Sequence, residues 1–176
     1  RRFAATLRPG DAYLLNSPYA GGTHLPDITV VMPIFDAAGA NLRYFTAARA
    51  HHADIGGIAP GSMPASSRYI DEEGCLSEGL RIVAEGRLDE AALRAWLTAG
   101  EWPARNPEQN IADLGAQVAA CVAGMSRMRT FEDEVGADAV LAYMAFVQDN
   151  AEAAVRRLLA RLRDGEFELP LDDGGH

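Results

Sequence analysis

The chain has 176 residues, enough for one ordinary domain with a real hydrophobic core and short for two. Its hydrophobic fraction of 48% includes 32 alanines, so Leu, Ile, Val, Phe, Met and two Trp must do most of the burying. Sixteen basic residues against 25 acidic ones leave a net charge of −9, which argues against nucleic acid or an anionic membrane surface as a partner.

All 16 basic residues are Arg, so the chain can build neither a P-loop, which needs its Lys, nor a Schiff-base site. The two cysteines, Cys75 and Cys121, lie in unlike contexts and suggest neither a zinc ribbon nor a disulfide framework; a reducing, cytoplasmic setting is expected. No apolar run reaches the roughly 18–20 residues that span a bilayer. The abrupt start at Arg1 and the Asp172-Asp173-Gly174-Gly175-His176 end suggest an interior segment of a longer protein.

In chain order, Asp11 to Leu15 reads as a short strand after the Pro9-Gly10 turn, followed by a loop with the Gly21-Gly22 pair. Ile28 to Phe35 is apolar at nearly every position and β-branched, as suits a strand buried on both faces, with Pro33 marking a bulge or an edge. A turn over Asp36 to Ala40 returns the chain as a second strand, Leu42 to Ala50, which predicts an antiparallel hairpin. Residues 53–79 are a Gly- and Pro-punctuated loop region, and Leu80 to Val83 is one more strand.

Asp89 starts a helix with Ala92, Leu93, Trp96 and Leu97 on one face, ended by Gly100. Asn106 is a cap, Pro107 the first helical position, and Gln109 is placed to reach back as in a capping box. Ile111, Leu114, Val118, Cys121, Met125 and Met128 then form one apolar stripe. After Val135-Gly136 a second long helix carries Val140, Met144, Val147, Ala151, Val155, Leu158 and Leu162 in register. The fold class predicted is α+β: amino-terminal antiparallel strands and metal-site loops packed on a carboxy-terminal antiparallel helical hairpin. The chain reads as a single unit, 1–176, with strands and loops over 1–85 and helices over 86–176. Leu114, Val118, Val147 and Val155 are expected under the strand region, and Leu158 and Leu162 as exposed contacts for an oligomer.

Three of the four His fall in two short motifs, Thr23-His24-Leu25-Pro26-Asp27 and His51-His52-Ala53-Asp54-Ile55-Gly56-Gly57. The predicted hairpin makes the start of its first strand and the end of its second neighbours, so His24, Asp27 and His51 should converge. Two imidazoles and a carboxylate with open positions suit a catalytic zinc, manganese or non-haem iron ion. His52 is the competing third ligand, and Asp54 a partner that could fix an imidazole tautomer. Asp113 and Gln117 read as the solvated side of a helix, Cys121 as core, and Cys75 lacks a neighbouring base. His176 reads as inert.

The strings GDAYLLNSPYAGGTHLPDITVVMPIF and AHHADIGGIAPGSMP resemble the hydantoinase B/oxoprolinase family, and NPEQNIADLGAQVAA with AYMAFVQDNAE resembles its 5-oxoprolinase branch, over nearly all of residues 9–173. The resemblance implies part of a large α+β catalytic subunit or half. Beside it would work a hydantoinase A-type partner subunit or domain of the actin/Hsp70-like type, which binds ATP in place of this chain. It also implies ATP-dependent hydrolysis of a small cyclic amide, 5-oxoproline or hydantoin. The partner would phosphorylate the ring oxygen, and a divalent ion on His24, Asp27 and His51 would supply water, with a further carboxylate ligand upstream of this segment. Asp54, with His52 as the other catalytic candidate in this chain, or a residue outside this chain, would then take the proton. Relatives often carry Asp where this chain has Ser17, and the stretch EGCLSEGLRIVAEG departs from their shorter, Pro-rich form. Three rivals stay open: an acetone-carboxylase-like manganese subunit; a non-haem iron oxygenase, whose usual His-x-Asp spacing differs from His-x-x-Asp here; and an inactive truncated fragment acting only in association.

Overall fold

A computed structural model describes Phe3 and residues 5–170. His176 and the remainder of the expected tail lie outside the described residues, as do Arg1, Arg2 and Ala4. The chain divides into two compact units, 1–128 and 129–176.

In the first unit, β1 (Ala12–Leu15), β2 (Asp27–Phe35), β3 (Leu42–His51), β4 (Leu80–Ala84) and β5 (Arg87–Leu88) form one antiparallel sheet in the order β3-β2-β1-β4-β5. The hairpin of β2 and β3 pairs Asp27 with His51, Thr29 with Arg49 and Val31 with Ala47. β2 is interior, yet the pairing of β1 runs only to Val31, so Pro33 sits where β2 has β3 alone beside it. The two-residue β5, absent from the sequence expectation, follows a tight turn in which Glu85 and Gly86 both have positive φ, 50° and 82°.

One face of the sheet is the core. Leu14, Ile28, Val30 and Met32 pack with Leu93 and Leu97 of α1 (Glu90–Leu97) and with Ile111, Leu114 and Cys121 of α2 (Pro107–Val135). Asp89 caps α1, its side chain accepting from the Ala92 N–H at 2.9 Å. Asn106 accepts from the Gln109 N–H at 3.3 Å, but the Gln109 amide donates onward to Asp113 at 2.8 Å instead of reaching back, so only half of the expected capping box forms. Leu114 is buried and Val118 packs against the core, as the apolar stripe requires.

The second unit contains the end of α2 and α3 (Ala137–Leu159). α3 buries Val140, whereas Val147 and Val155, expected under the strands, are exposed, together with Leu158 and Leu162. The helical period placed these residues on one stripe but could not say what covers it. The architecture is α+β, with antiparallel strands first and helices after. No helix among the described residues is long and apolar enough to cross a membrane.

Candidate metal centre

The site is assembled at one end of the β2–β3 ladder. Gly22 approaches the Asn16 carbonyl so closely that a Cβ would lie 2.2 Å from its oxygen, so only glycine lets this loop turn against the chain after β1. Buried Asn16 then ties three segments together: its amide donates to the carbonyls of Leu25 (2.9 Å) and Cys75 (2.8 Å), and its oxygen accepts from the Ser77 N–H (2.7 Å). The Pro26 carbonyl accepts from the His52 N–H at 2.8 Å, which ties the THLPD turn to the end of β3.

These constraints bring His24, Asp27 and His51 together. Asp27 gives one carboxylate oxygen to each ring: Oδ1 lies 3.1 Å from His51 Nδ1, and Oδ2 lies 3.2 Å from His24 Nδ1. Thr23 Oγ1 donates to Oδ2 at 3.1 Å. The imidazoles stack obliquely, 5.1 Å between centroids. Burial pushes the Asp27 carboxyl up, but hydrogen bonds from His51 and Thr23 and the charges of both imidazoles outweigh it and hold the group below its ordinary range.

One ligand atom from each of the three residues lies within 4.8 Å of the other two. Metal bonds of about 2.0–2.2 Å set tetrahedral ligands roughly 3.4 Å apart, so side-chain rotation of roughly an ångström would close the set. Side-chain exposures of 40% for His24 and 52% for His51 leave the cluster open to water. A nitrogen–nitrogen–carboxylate donor set of this kind fits zinc, manganese or iron.

His52 is not part of this cluster. It is 1% exposed and turned into α2, where its Nδ1 lies 3.1 Å from Asn110 Nδ2 and its Nε2 lies 3.0 Å from Gln117 Oε1. The network assigns its own tautomer. Gln117 spends its NH2 on the carbonyls of Ile28 (3.0 Å) and Ala48 (2.9 Å), so its oxygen must accept from His52 Nε2–H. Asn110 Nδ2 donates to the Asp54 carbonyl (2.9 Å) and to the bare Nδ1.

Asp54 also lies apart from the imidazoles. Its carboxylate accepts from the N–H groups of Gly56, Gly61 and Arg105, at 3.0, 3.0 and 3.1 Å, and from Arg105 Nη1 at 2.7 Å. Burial pushes its pKa up, and these four donors more than reverse the effect, holding it below the ordinary carboxylate range. Gly56, at φ 96°, passes the Trp102 carbonyl with no room for a Cβ, which locks this loop onto the segment before α2.

Gln117, read from sequence as solvated, is thus buried, and Asn110 was missed. Both were detectable in the helical period: Asn110, Leu114, Gln117 and Cys121 succeed one another at 4-3-4 spacing on the buried face. Cys75 is buried, and desolvation pushes its thiol up to about 11, which removes it as a nucleophile at neutral pH. Cys121 is likewise raised by burial and donates weakly to the Val30 carbonyl.

Comparison with known proteins adds to this geometry. The Hydantoinase B/oxoprolinase profile matches residues 1–176 in full. The chain belongs to the hydantoinase B/oxoprolinase family. It is 43% identical over 165 residues to 5-oxoprolinase of Dictyostelium discoideum, covering 94% of this chain and 13% of that protein. It is 41% identical over 162 residues to 5-oxoprolinase of Saccharomyces cerevisiae, covering 89% of this chain and 12% of that protein. The crystal structure of ATP-dependent caprolactamase from Pseudomonas jessenii superposes with a TM-score of 0.80 at 27% identity, over 98% of this chain and 30% of that one. The chain therefore spans about an eighth of the length of these curated relatives.

Proposed function

We propose that this segment supplies the water-activating metal site of an ATP-dependent hydrolase that opens small cyclic amides, with His24, Asp27 and His51 as the metal ligands. The observation that carries the reading is the Asp27–His51 cross-strand pair with His24 folded onto it. The names of the relatives support the substrate class, since 5-oxoproline and caprolactam are both lactams.

A divalent ion held there would lower the pKa of a bound water from 15.7 toward about 7. ATP would be bound by a hydantoinase A-type subunit or domain, because this chain has no Lys and no phosphate-cradling loop. Transfer of the γ-phosphoryl group to the amide oxygen releases ADP and makes the ring carbon electrophilic. Water adds to that carbon, the C–N bond breaks with the nitrogen leaving as an amine, and a second water frees phosphate from the acyl phosphate.

Before an ion is bound, Asp27 holds both imidazoles toward one point, one carboxylate oxygen beside each Nδ1, and a bound ion would take the place of these hydrogen bonds. His52 and Asp54 serve this site as positioning groups in place of the proton-transfer role expected of them. His52 is sealed between Asn110 and Gln117, and an Asp54 carboxylate already accepting four hydrogen bonds is a poor proton acceptor. They pin the end of β3 and the loop after it, and so fix His51.

The test uses the full-length parent protein with its ATP-binding partner. After metal stripping and restoration of Mg·ATP, opening of 5-oxoproline should be lost, and zinc, manganese or iron should restore it. Ring opening that survives stripping unchanged would contradict the reading.

A further inference from the structure

Arg49 stands beside this cluster without belonging to it. It faces Thr29 across the ladder as His51 faces Asp27, two residues along each strand, so the four side chains share one face of the sheet. Diagonal neighbours in such a ladder are roughly 7–8 Å apart, within reach of a long side chain. Arg49 Nε donates to Thr29 Oγ1 at 2.8 Å, and Nη2 donates to the Gly21 carbonyl at 3.2 Å, in the loop that leads to His24. Two neutral acceptors thus set the plane of the guanidinium.

Its charge is uncompensated among the described residues. Arg81 lies against Asp11, Arg94 against Glu108, Arg105 against Asp54 and Arg156 against Glu152, whereas Arg49 has no carboxylate within ion-pair distance. On a chain of net charge −9, a fixed guanidinium beside a cation-binding cluster marks a local site for an anion. The fork of N–H donors matches carboxylate and phosphoryl oxygens in particular.

We propose that Arg49 binds an oxyanion of the substrate at the His24–Asp27–His51 centre, an inference that rests on the lactam-hydrolase function proposed for that centre. Two groups have this chemistry: the carboxylate of an amino-acid lactam such as 5-oxoproline, and the phosphoryl group placed on the ring oxygen. A neutral lactam lacks the first and acquires the second.

Steady-state kinetics of the full-length parent enzyme, with metal content measured on the same preparations, separates them. Arg49→Gln is compared with Arg49→Lys on 5-oxoproline and on 2-pyrrolidinone, the same ring without a carboxylate. Recognition of the carboxylate raises KM for 5-oxoproline about tenfold or more in the Gln variant and leaves 2-pyrrolidinone unaffected. Recognition of the phosphoryl group lowers kcat about tenfold or more on every lactam the enzyme opens, with ATP still consumed. In either case metal content stays at the wild-type level and Lys recovers part of the loss; if the Gln variant does not fold, the Lys variant shows the same pattern in smaller measure. Constants within twofold of wild type, or activity lost in step with metal, would overturn the assignment while leaving the lactam-hydrolase function intact. Wild-type enzyme that holds no divalent metal, or opens no lactam with ATP, would overturn both.

Discussion

Asp27 and His51 are opposite members of one cross-strand pair, with Asp27 Oδ1 3.1 Å from His51 Nδ1. A shift of one residue in the β2–β3 register would send His51 to the opposite face, so the core packing of Ile28, Val30 and Met32 also fixes the site. Stability of the sheet and geometry of the cluster are one property of this hairpin.

The His52 network should therefore matter to folding. His52→Leu removes a buried ring and leaves Gln117 Oε1 and one Asn110 N–H without partners. Two unsatisfied buried groups cost about 2–6 kcal/mol. Urea unfolding of the variant should show a stability lower by that amount; an unchanged midpoint would mean that the network contributes no net stability.

Asp54 gives a pH dependence with a definite sign. Its pKa in the fold lies below the ordinary 3.8, so the unfolded chain takes up the proton first as acid is added. The stabilisation is complete above the unfolded value and is lost as the pH falls through the lower folded one. Unfolding midpoints measured from pH 5 down to pH 3 should fall less steeply in Asp54→Asn than in wild type. Equal slopes would show that the Arg105 and backbone contacts do not hold the carboxylate.

Cys75 should be inert in the native protein. With its thiol raised from 9.0 to about 11, it is protonated at pH 8 and shielded, so a disulfide reagent should modify it only after unfolding. The stability linked to this shift is complete below pH 9.0 and is lost as the pH rises from 9.0 through about 11, because the unfolded thiol ionises first. Rapid labelling of Cys75 in the folded state would contradict this.

The apolar residues of α3 and the segment after it should make the isolated 176-residue chain associate. Phe146, Val147, Val155, Leu158 and Leu162 are each more than half exposed. Patches beyond a few hundred Å² drive association. Sedimentation should show self-association that Leu158→Glu with Leu162→Glu reduces; a strictly monomeric wild-type chain at high concentration would count against it.

Much of this was legible in the sequence because it depends on local pattern. The apolar run from Ile28 to Phe35, the turn, and the returning strand dictated the hairpin, and the hairpin alone placed Asp27 beside His51. What escaped depends on contacts between distant segments. Asp54 meets Arg105 across 51 positions, and His52 meets Gln117 across 65, pairings that no local period encodes. The fate of Gln109 was a contest between two partners a turn apart, and Asp113 won it from the cap. Burial of Val147 and Val155 was inferred from their stripe, but a stripe specifies a face and not its cover.

Metal binding by the three side chains at the end of this hairpin underlies the proposed chemistry. Elemental analysis of the purified full-length parent, wild type against Asp27→Ala, tests it most directly. Loss of an outer partner of a metal ligand costs roughly 10–100-fold in affinity, and loss of a ligand itself should cost more. The expected result is about one divalent ion per wild-type chain and a largely empty site in the variant; Asp27→Ala protein that retains stoichiometric metal would rule out Asp27 as a ligand.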